Sequence, residues 1–484
     1  MDHIKLVKKS FSSSRSLAIA GLVSLVAYSS PLWAQQTSAP AANVALGRQV
    51  LSELVAVKSV HSLGSTNAAK LVADRLLAAG FASDDVKVLA PKDFPDKANT
   101  VVRLRGKTQA KPTLFIGHLD VVEAKPEDWN FDPFKLAEKD GWLYGRGVID
   151  MLGQNSAMLA SLIRLKQEGY VPERDIIVAF TADEEAGGVA NGVDFLLKEH
   201  RSLVDAGLVI NPDAGEAAIK NGKKIYLTMQ TSEKMFLSFE VEVTDKGGHS
   251  SRPTKDNPIY RLSQALARLS DYSFPLHLTD TVKQYFKGRA ALEQGQIKKD
   301  MLAVSGEKSD LAAAKRLSRE VETNIQMRTT CTATEISGGH AENALPQRAK
   351  ATIQCRVVPG ETQAGTEALL KQVMRDPSVK FSVRTAARPS PESAPSGPVR
   401  AAVEQVTKSM WPDIAVLPSM TAGASDSIYT RAAGIPTYGV DAMFDDLDDG
   451  RAHGRDERID VKVFAEELEF MYRLMKAIDR VPMK

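Results

Sequence analysis

Residues 181–188 carry three consecutive acidic side chains, Asp183, Glu184 and Glu185. They follow a short apolar run, residues 176–180, whose β-branched side chains are typical of a buried parallel strand. Open α/β sheets bind their ligands at the carboxyl ends of such strands. Three adjacent carboxylates repel one another unless a cation offsets their charge, so the segment indicates a metal site. Taken alone, so short a motif is more often a solvated acidic loop.

Other places along the chain offer metal-ligand side chains: His118 with Asp120, Asp150, Asp213 and His453. Positions two apart share a face of a strand, so Asp120 can orient the ring of His118. Each residue also has an ordinary structural explanation, as a hydrogen-bonded core histidine, a helix N-cap, a turn or a polar loop. Histidine or carboxylate in this many strand-end loops together favours a metal centre.

The order of these motifs resembles the co-catalytic zinc peptidases and amidohydrolases, the family of bacterial glutamate carboxypeptidase, aminoacylase, carnosinase, succinyl-diaminopimelate desuccinylase and carboxypeptidase S. The resemblance covers nearly everything after the N-terminal leader. One departure is Leu152, where the family usually has lysine, and no expected ligand is lost by it. The matching motifs, in chain order, are residues 117–122, 145–150 and 183–185, Asp213, residues 246–251, and His453 with Gly454.

The resemblance implies two zinc ions per subunit, bridged by Asp150. One ion would be completed by His118 and Asp213, and the other by Glu185 and His453. Imidazole and carboxylate are good zinc ligands, and a shared carboxylate holds two ions roughly 3.5–4 Å apart.

Further family roles fall on residues of this chain. Glu184 would be the general base and Asp120 the partner of His118. His249, in a Gly-Gly-His-Ser-Ser loop, would hydrogen-bond the developing oxyanion. Three more positions match the family's substrate-binding residues: Asn343, Arg356, whose guanidinium suits a terminal carboxylate, and Gly423. Without the family, Arg356 is equally well explained as an exposed strand arginine.

An alternation of helices and strands must position these side chains. We predict an α/β fold, with a mixed, mostly parallel sheet covered by helices on both faces and an inserted α+β lid or dimerisation domain. The catalytic domain comprises residues 35–229 and 388–484, and the lid comprises residues 230–387. In the first segment we expect strands at residues 86–89, 100–105, 113–117, 176–181 and 208–211, and helices at residues 43–62 (capped by Asn43), 65–80, 154–168 and 192–200.

Within the lid, alternating and β-branched segments predict an antiparallel sheet. Residues 285–322 form a charged insertion like that of carboxypeptidase S-like members, and a solvated surface helix pair is its expected structure. The two cysteines of the chain, Cys331 and Cys355, face each other if their strands form one hairpin. A disulfide and two unpaired buried thiols both remain open.

Composition and the N-terminus limit location and partners. Residues 1–34 have a basic start, an apolar run and a plausible cleavage point after Ala34, as in a signal peptide; an uncleaved anchor is the alternative. We therefore expect an exported, periplasmic protein. Lys and Arg total 62 against 60 Asp and Glu, so neither nucleic acid nor a stable membrane partner is indicated. The resemblance implies a homodimer through the lid.

The predicted function is hydrolysis of an amide bond adjacent to a free carboxylate, by a zinc metallopeptidase of the carboxypeptidase or dipeptidase type. The substrate is then a small peptide. The alternative is an N-acyl-amino-acid amidohydrolase, because deacylation uses the same centre. A non-catalytic zinc-binding module would require decayed ligands, and none is missing. A serine hydrolase is disfavoured because no Gly-x-Ser-x-Gly elbow occurs on a strand-to-helix turn.

Overall fold

The computed structural model describes residues 37–482. The predicted signal peptide lies outside these residues. Within the described part, no helix is long and apolar enough to cross a membrane.

Fourteen helices occur in the described residues. They are α1 (Ala41–Val57), α2 (Thr66–Ala78), α3 (Leu152–Gln167), α4 (Gly192–Glu199), α5 (Arg201–Val204), α6 (Pro258–Ser270), α7 (Asp280–Leu292), α8 (Gly295–Val304), α9 (Leu311–Leu317), α10 (Val321–Met327), α11 (Gln363–Met374), α12 (Pro398–Met410), α13 (Ser427–Ala432) and α14 (Val461–Asp479).

The strands of the described residues form five sheets. They are β1 (Val86–Leu89), β2 (Asn99–Leu104), β3 (Thr113–His118), β4 (Ala137–Lys139), β5 (Trp142–Tyr144), β6 (Ile176–Thr181), β7 (Leu208–Ile210), β8 (Ala217–Lys220), β9 (Lys223–Glu233), β10 (Met235–Thr244), β11 (Gly248–His249), β12 (Thr330–Gly338), β13 (Ala344–Leu345), β14 (Arg348–Val357), β15 (Lys380–Thr385), β16 (Ala415–Thr421), β17 (Thr437–Tyr438), β18 (Phe444–Asp446) and β19 (Arg458–Asp460).

The principal sheet has six strands in the order β1-β2-β6-β3-β7-β17. Strands β6, β3, β7 and β17 run parallel to one another, whereas β2 pairs antiparallel with both β6 and β1. Every residue of β3 and β6 is buried, as expected for central strands covered on both faces. The predicted mixed, mostly parallel sheet is confirmed.

Alternate side chains of the central strands enter two different cores. Phe115 and Val178 pack in the larger core with α1, α2, α3 and α14, while Leu114 and Ile177 pack in a smaller core with α4 and α5. Because successive side chains of a strand point to opposite faces, this division places helices on both faces of the sheet. A second sheet, β16-β9-β8-β18, completes the larger core.

The inserted α+β domain is built on a four-stranded antiparallel sheet in the order β12-β14-β10-β15, which we call the lid sheet. Leu237, Phe239, Val241 and Val243 alternate along β10, and all four side chains are buried in a core with α6 and α11. One face of the lid sheet is therefore apolar and covered by helices. Most of β12 is exposed at the edge of the sheet.

The insertion differs from the solvated helix pair that the sequence predicts. Residues 280–327 form four helices, α7 to α10, with a buried cluster of their own that includes Phe286 and Met301. Helix α7 also packs on β16, so closely that a Cβ at Gly288 would lie 2.5 Å from the Leu417 side chain. The apolar positions of this charged segment are spread over four short helices, and no single helical stripe reveals them.

The first predicted helix is wrong at both ends. It begins at Ala41 after Pro40, so Asn43 lies inside the first turn, and it ends at Val57 with Lys58 in the left-handed region (φ 57°). Residues 59 and 60 are extended because they pair with Val121: the Val121 amide donates to the Ser59 carbonyl at 3.1 Å. Tertiary pairing therefore outweighs helix propensity at this position.

Cys331 and Cys355 form a disulfide, which resolves the alternatives that the sequence leaves open. They are directly opposite each other on β12 and β14. The bond ties the exposed edge strand to the buried centre of the lid sheet.

Candidate metal centre

Three neighbouring strands of the principal sheet end at the candidate site. His118 is the last residue of β3, the acidic segment follows β6, and Asp213 follows β7. Since β6, β3 and β7 are adjacent and parallel, their carboxyl ends meet at one edge. Asp150 comes from the loop before α3, and His453 comes from the loop before β19.

The five predicted ligands form two groups that share Asp150. His118 Nε2 lies 3.1 Å from Asp150 Oδ1 and 3.7 Å from Asp213 Oδ1. His453 Nε2 lies 2.9 Å from Asp150 Oδ2 and 3.0 Å from Glu185 Oε1. Within each group of three residues, the ligand atoms all lie within 4.8 Å of one another. One carboxylate oxygen therefore faces each group, which is the arrangement that a bridging ligand requires.

The donor set suits divalent metal ions. Two imidazoles and three carboxylates are typical ligands of a paired metal site. The ring Nδ1–H of His118 donates to the backbone carbonyl of Asp120 at 2.9 Å, which leaves Nε2 free to face the carboxylates. Burial raises the pKa of the Asp213 and Glu185 carboxyls, because a buried carboxylate without a cation favours its protonated form.

The histidines of both groups respond to the same negative charge. Burial lowers the pKa of His118, but the hydrogen bonds to Asp150 and Asp213 outweigh it, and the net shift is upward. Hydrogen bonds to Asp150 and Glu185 raise the pKa of His453 to about 10. Both shifts have the same cause, the carboxylates of the two groups, and this negative charge also favours a bound cation.

Glu184 lies beside the two groups without belonging to either. Burial, followed by the negative charge of Asp213, raises the pKa of the Glu184 carboxyl to about 10. A cation bound by the neighbouring groups would favour the ionised form of this carboxyl, and a carboxylate beside the ligands that binds neither ion is placed as a general base requires.

The Asp120 side chain makes a different contact from the one that the strand pattern predicts. Strand β3 ends at His118, so the two residues do not continue one strand face. Asp120 Oδ1 is 3.9 Å from His118 Nδ1, and the Asp120 carboxylate accepts hydrogen bonds from the backbone amides of Glu184 (3.2 Å) and Glu185 (3.0 Å). The carboxylate thus holds the acidic segment, while the backbone carbonyl of Asp120 holds the imidazole.

The expected repulsion within the acidic segment is relieved because Asp183 interacts outside the cluster. Asp183 Oδ1 lies 3.3 Å from Lys97 Nζ and 3.1 Å from His61 Nδ1. Asp183 Oδ2 accepts from the Ala190 amide at 2.8 Å. The backbone at Asp183 is left-handed (φ 62°), which is uncommon outside glycine and turns the following residues toward the cluster.

Arg146 lies in the motif of residues 145–150, and Glu457, four residues after His453, is not among the predicted site residues; their side chains form a buried ion pair of 2.6 Å next to the site. Glu457 also accepts hydrogen bonds from the backbone amides of Ile149 and Asp150. Arg146 and Glu457 are more than 300 positions apart in the chain. Their contact therefore follows from the fold and from no local sequence motif.

The predicted oxyanion residue and one substrate residue lie together on the inserted domain. His249 on β11 pairs with Ala344 on β13, and the Ser250 amide donates to the Asn343 carbonyl at 3.0 Å. The His249 side chain is exposed, and its Nδ1 accepts from the Ser251 amide at 3.1 Å. Among residues 37–482, no hydrogen bond joins His249 or Asn343 to the two ligand groups.

Arg356 lies half-buried on β14, with its guanidinium 4.9 Å from the ring centroid of Phe236. Its Nη1 atom is buried and has no hydrogen-bond partner within the described residues. Burial lowers the pKa of the guanidinium, which marks a cation without a compensating anion. This side chain therefore has unused capacity to bind an anionic group.

The loop of Gly423 docks against the end of β6. Gly423 itself is exposed, and a Cβ added there would meet no atom within 4 Å. Asp426, three residues on, is buried and accepts from the Asn191 side chain at 2.5 Å and the Thr181 hydroxyl at 3.3 Å. Leu152, the departure from the family pattern, is buried at the start of α3, and a Cβ at Gly147 would lie 2.9 Å from its side chain.

The sequence model described as "Peptidase family M20/M25/M40" matches residues 114–477, which is more than half of the chain. The chain belongs to peptidase family M20/M25/M40. It is similar to N-fatty-acyl-amino acid synthase/hydrolase PM20D1 of Homo sapiens, with 28% identity over 379 residues, covering 76% of this chain and 74% of the relative. It is also similar to Aminoacylase-1 of Mus musculus, with 25% identity over 389 residues, covering 79% of this chain and 84% of that relative.

Solved structures of the M20 family share this fold. The M20 family metallo-carboxypeptidase Sso-CP2 from Sulfolobus solfataricus aligns with a TM-score of 0.64 at 18% identity, over 90% of this chain and 99% of that one. The resemblance that the motifs indicate is confirmed, as is the fold class. The protein is a hydrolase of the metallopeptidase and amidohydrolase type.

Proposed function

We propose that this protein is a zinc-dependent hydrolase that cleaves an amide bond adjacent to a free carboxylate, as a dipeptidase or carboxypeptidase. The observation that carries the proposal is the pair of ligand groups joined through Asp150, with Glu184 beside them. In this proposal His118, Asp150 and Asp213 hold one zinc ion, and Asp150, Glu185 and His453 hold the other.

The side chains of the protein supply the remaining steps. Bound zinc would contribute Lewis acidity toward the scissile carbonyl and lower the pKa of an attacking water. Glu184 accepts the proton of that water and then returns it to the leaving amine. Asp120 holds Glu184 and Glu185 through their backbone amides, so that base and ligand keep a fixed separation.

The inserted domain supplies groups for the substrate. The unpartnered guanidinium of Arg356 pairs with the substrate carboxylate, and Asn343 and Gly423 border the same ligand. His249 donates to the developing oxyanion. Closure of the inserted domain, or a second subunit, must bring His249 and Asn343 to the metal centre.

The proposal includes the domain organisation of the chain and its export to the periplasm. Residues 35–229 and 388–484 act as the catalytic domain, and residues 230–387 act as a lid through which subunits pair. Export to the periplasm depends on the signal-peptide pattern of residues 1–34 and agrees with the disulfide, since disulfides persist in oxidising compartments.

Deacylation of N-acyl amino acids is the second candidate. It is favoured by the names of two relatives, an N-fatty-acyl-amino acid synthase/hydrolase and an aminoacylase. The same centre serves both reactions, because each cleaves an amide next to a free carboxylate.

The purified protein should release amine from a panel of dipeptides and N-acyl amino acids, lose this activity on chelation and regain it with zinc. Cleavage of the dipeptides supports the peptidase, and cleavage of the N-acyl amino acids supports the deacylase.

Glu184→Gln should lower kcat at least about 1,000-fold while two zinc ions stay bound, because it removes the base and no ligand. The exposed Glu173→Gln serves as the control. Substantial turnover by Glu184→Gln would refute the role of that residue, and a lack of chelator sensitivity would refute the metal hydrolase.

A further inference from the structure

A buried ion pair connects the loop that carries Asp150 to the loop that carries His453. Arg146 Nη1 lies 2.6 Å from Glu457 Oε2, and the side chains are only 3% and 0% exposed. An isolated charge at such depth is strongly disfavoured, so the two side chains must stay together in the folded protein.

On one side, the pair holds the backbone around Asp150. Glu457 Oε1 accepts from the Ile149 amide at 2.8 Å and from the Asp150 amide at 3.2 Å, while Oε2 accepts from the Gly147 amide at 3.0 Å. A single carboxylate thus contacts four of the five residues 146–150, through the side chain of Arg146 and three backbone amides. The position of the shared ligand depends directly on these hydrogen bonds.

On the other side, the pair holds the backbone around His453. Arg146 Nη2 donates to the carbonyls of His453 at 3.3 Å and Gly454 at 3.1 Å. The His453 side chain is half-exposed, and its backbone is left-handed (φ 62°). Burial therefore does little to fix this ligand, and its place depends on the contacts of its backbone.

The ligands of the first group are held differently. His118 ends a fully buried strand, and Asp213 lies in a short 3₁₀ helix, Pro212–Ala214, just after β7. Among residues 37–482, no hydrogen bond joins either residue to Arg146 or Glu457. The ion pair thus contacts two residues of the second group, Asp150 and His453. In the first group it contacts only Asp150, which both groups share.

We propose that Arg146 and Glu457 are positioning residues for the second metal site, formed by Asp150, Glu185 and His453. The inference rests on the proposed function, because it requires that both groups bind zinc. Loss of the pair should then release one ion of the two. The other ion stays because His118 and Asp213 keep their strand-end positions.

The test is zinc titration of chelator-stripped protein, with bound zinc counted by mass spectrometry after dialysis. Wild-type protein should bind two ions. Glu457→Gln should keep one and bind the second on the order of 10–100-fold more weakly, as outer-shell substitutions do. The unfolding temperature of each metal-free protein is measured beside it, because a general structural role would change that temperature without selecting one zinc ion.

Arg146→Lys provides a second variant that keeps the positive charge but loses the planar fork. A lysine cannot reach Glu457 and two carbonyls with the same geometry, so the same selective loss should appear in milder form. Glu469→Gln is the matched control, since it breaks the mostly buried pair with Arg164, away from the site, and should bind two ions.

The zinc counts distinguish a failure of the proposed two-zinc hydrolase from a failure of the positioning role of Arg146 and Glu457. Wild-type protein that binds fewer than two ions overturns the proposed function and this inference with it. Two ions in wild type, with unchanged affinities in both Glu457→Gln and Arg146→Lys, overturns the inference alone. Equal weakening of both ions also overturns it, because the pair would then support the whole site.

Discussion

At the scale of single residues, the candidate site combines uncommon backbone conformations with buried anchors. Asp183 and His453 both adopt a left-handed backbone with φ of 62°. Such a conformation costs a non-glycine residue on the order of 1 kcal/mol and persists only where surrounding contacts hold it. Lys97 supplies such a contact at Asp183, and Arg146 supplies one at His453. The ligand loops are therefore shaped by residues that do not themselves face the metal centre.

Asp120 gives a residue-scale prediction. Its carboxylate accepts from two backbone amides, so Asp120→Asn must direct an NH₂ group at one of them. We expect kcat to fall about 10–100-fold through displacement of Glu184, with little change in bound zinc. Steady-state kinetics and zinc counting on the same preparation check this. A loss of zinc comparable to the loss of kcat would show instead that the carboxylate acts through His118.

At the scale of elements, much of the fold follows from sequence pattern. The strands β1 and β6 have the predicted limits, because apolar runs mark them locally. The limits of α1 do not, because residues 59 and 60 pair with Val121, which is distant in the chain. The four-helix insertion and the ion pair of Arg146 with Glu457 are also tertiary features, which no local pattern contains.

At the candidate site, too, the sequence predicts which residues take part but not the tertiary contacts that place them. The five residues that meet in the two groups could be named from the sequence, because their order along the chain matches the motifs of the family. What the motifs could not supply is which atom of each residue makes the contact. The orientation of His118 by a backbone carbonyl and the capture of Asp183 by Lys97 both depend on where the loops end in three dimensions.

The disulfide gives a prediction for the lid sheet. Cys331 and Cys355 are 24 residues apart, and closing a loop of that length in the unfolded chain stabilises the folded domain by about 3 kcal/mol. Replacing both cysteines by serine should lower the free energy of unfolding of the lid by this amount. Urea denaturation, followed by proteolysis within the lid, measures it. Reduced wild-type protein should behave like the variant, and coincident midpoints for the variant and oxidised wild type would contradict the prediction.

A second element-scale prediction concerns pH and the contact of α6 with the end of α11. Arg261 Nη2 lies 2.7 Å from Asp376 Oδ1, and this hydrogen bond lowers the pKa of the Asp376 carboxyl to about 2. The unfolded value is about 3.9, so the pair stabilises the lid fully above that pH and loses its effect as pH falls toward 2.

Asp376→Asn should therefore destabilise the metal-free protein by about 0.5–1 kcal/mol at pH 6 and show a shallower fall in unfolding temperature between pH 5 and pH 3. Thermal unfolding across this range, with the metal removed from both proteins, tests the sign. Glu367→Gln, which removes the partner of Lys371 on α11, is the control and should follow the wild-type slope. If the unfolding temperatures of wild type and Asp376→Asn fall in parallel with pH, the pair of Arg261 and Asp376 does not contribute to the loss of stability in acid.

At the scale of the whole molecule, the groups assigned to the proposed reaction lie on two parts of the chain. The metal ligands and Glu184 lie at the edge of the principal sheet, whereas His249, Asn343 and Arg356 lie on the inserted domain. His249 is exposed, and among the described residues its side chain hydrogen-bonds only to Ser251. It must therefore reach an active site either by closure of its own subunit or from a second copy of the chain.

Complementation between inactive variants distinguishes these routes. Glu184→Gln lacks the base but keeps His249, whereas His249→Ala lacks the histidine but keeps the base. If His249 acts in its own subunit, mixtures of the two variants stay inactive. If it acts across a two-fold dimer, each mixed dimer contains one complete site, and random exchange of equal amounts should restore about a quarter of wild-type activity.

The measurement is kcat/KM of the mixture after subunit exchange, with sedimentation to establish the oligomeric state. Two His249→Ala preparations mixed together are the control and should gain nothing. Recovered activity in a sedimenting monomer would contradict the dimer route. A His249→Ala variant with wild-type kcat would remove this histidine from the reaction. Restored activity in the dimer would explain why an exposed histidine on the inserted domain, which carries none of the five proposed metal ligands, accompanies them in this sequence.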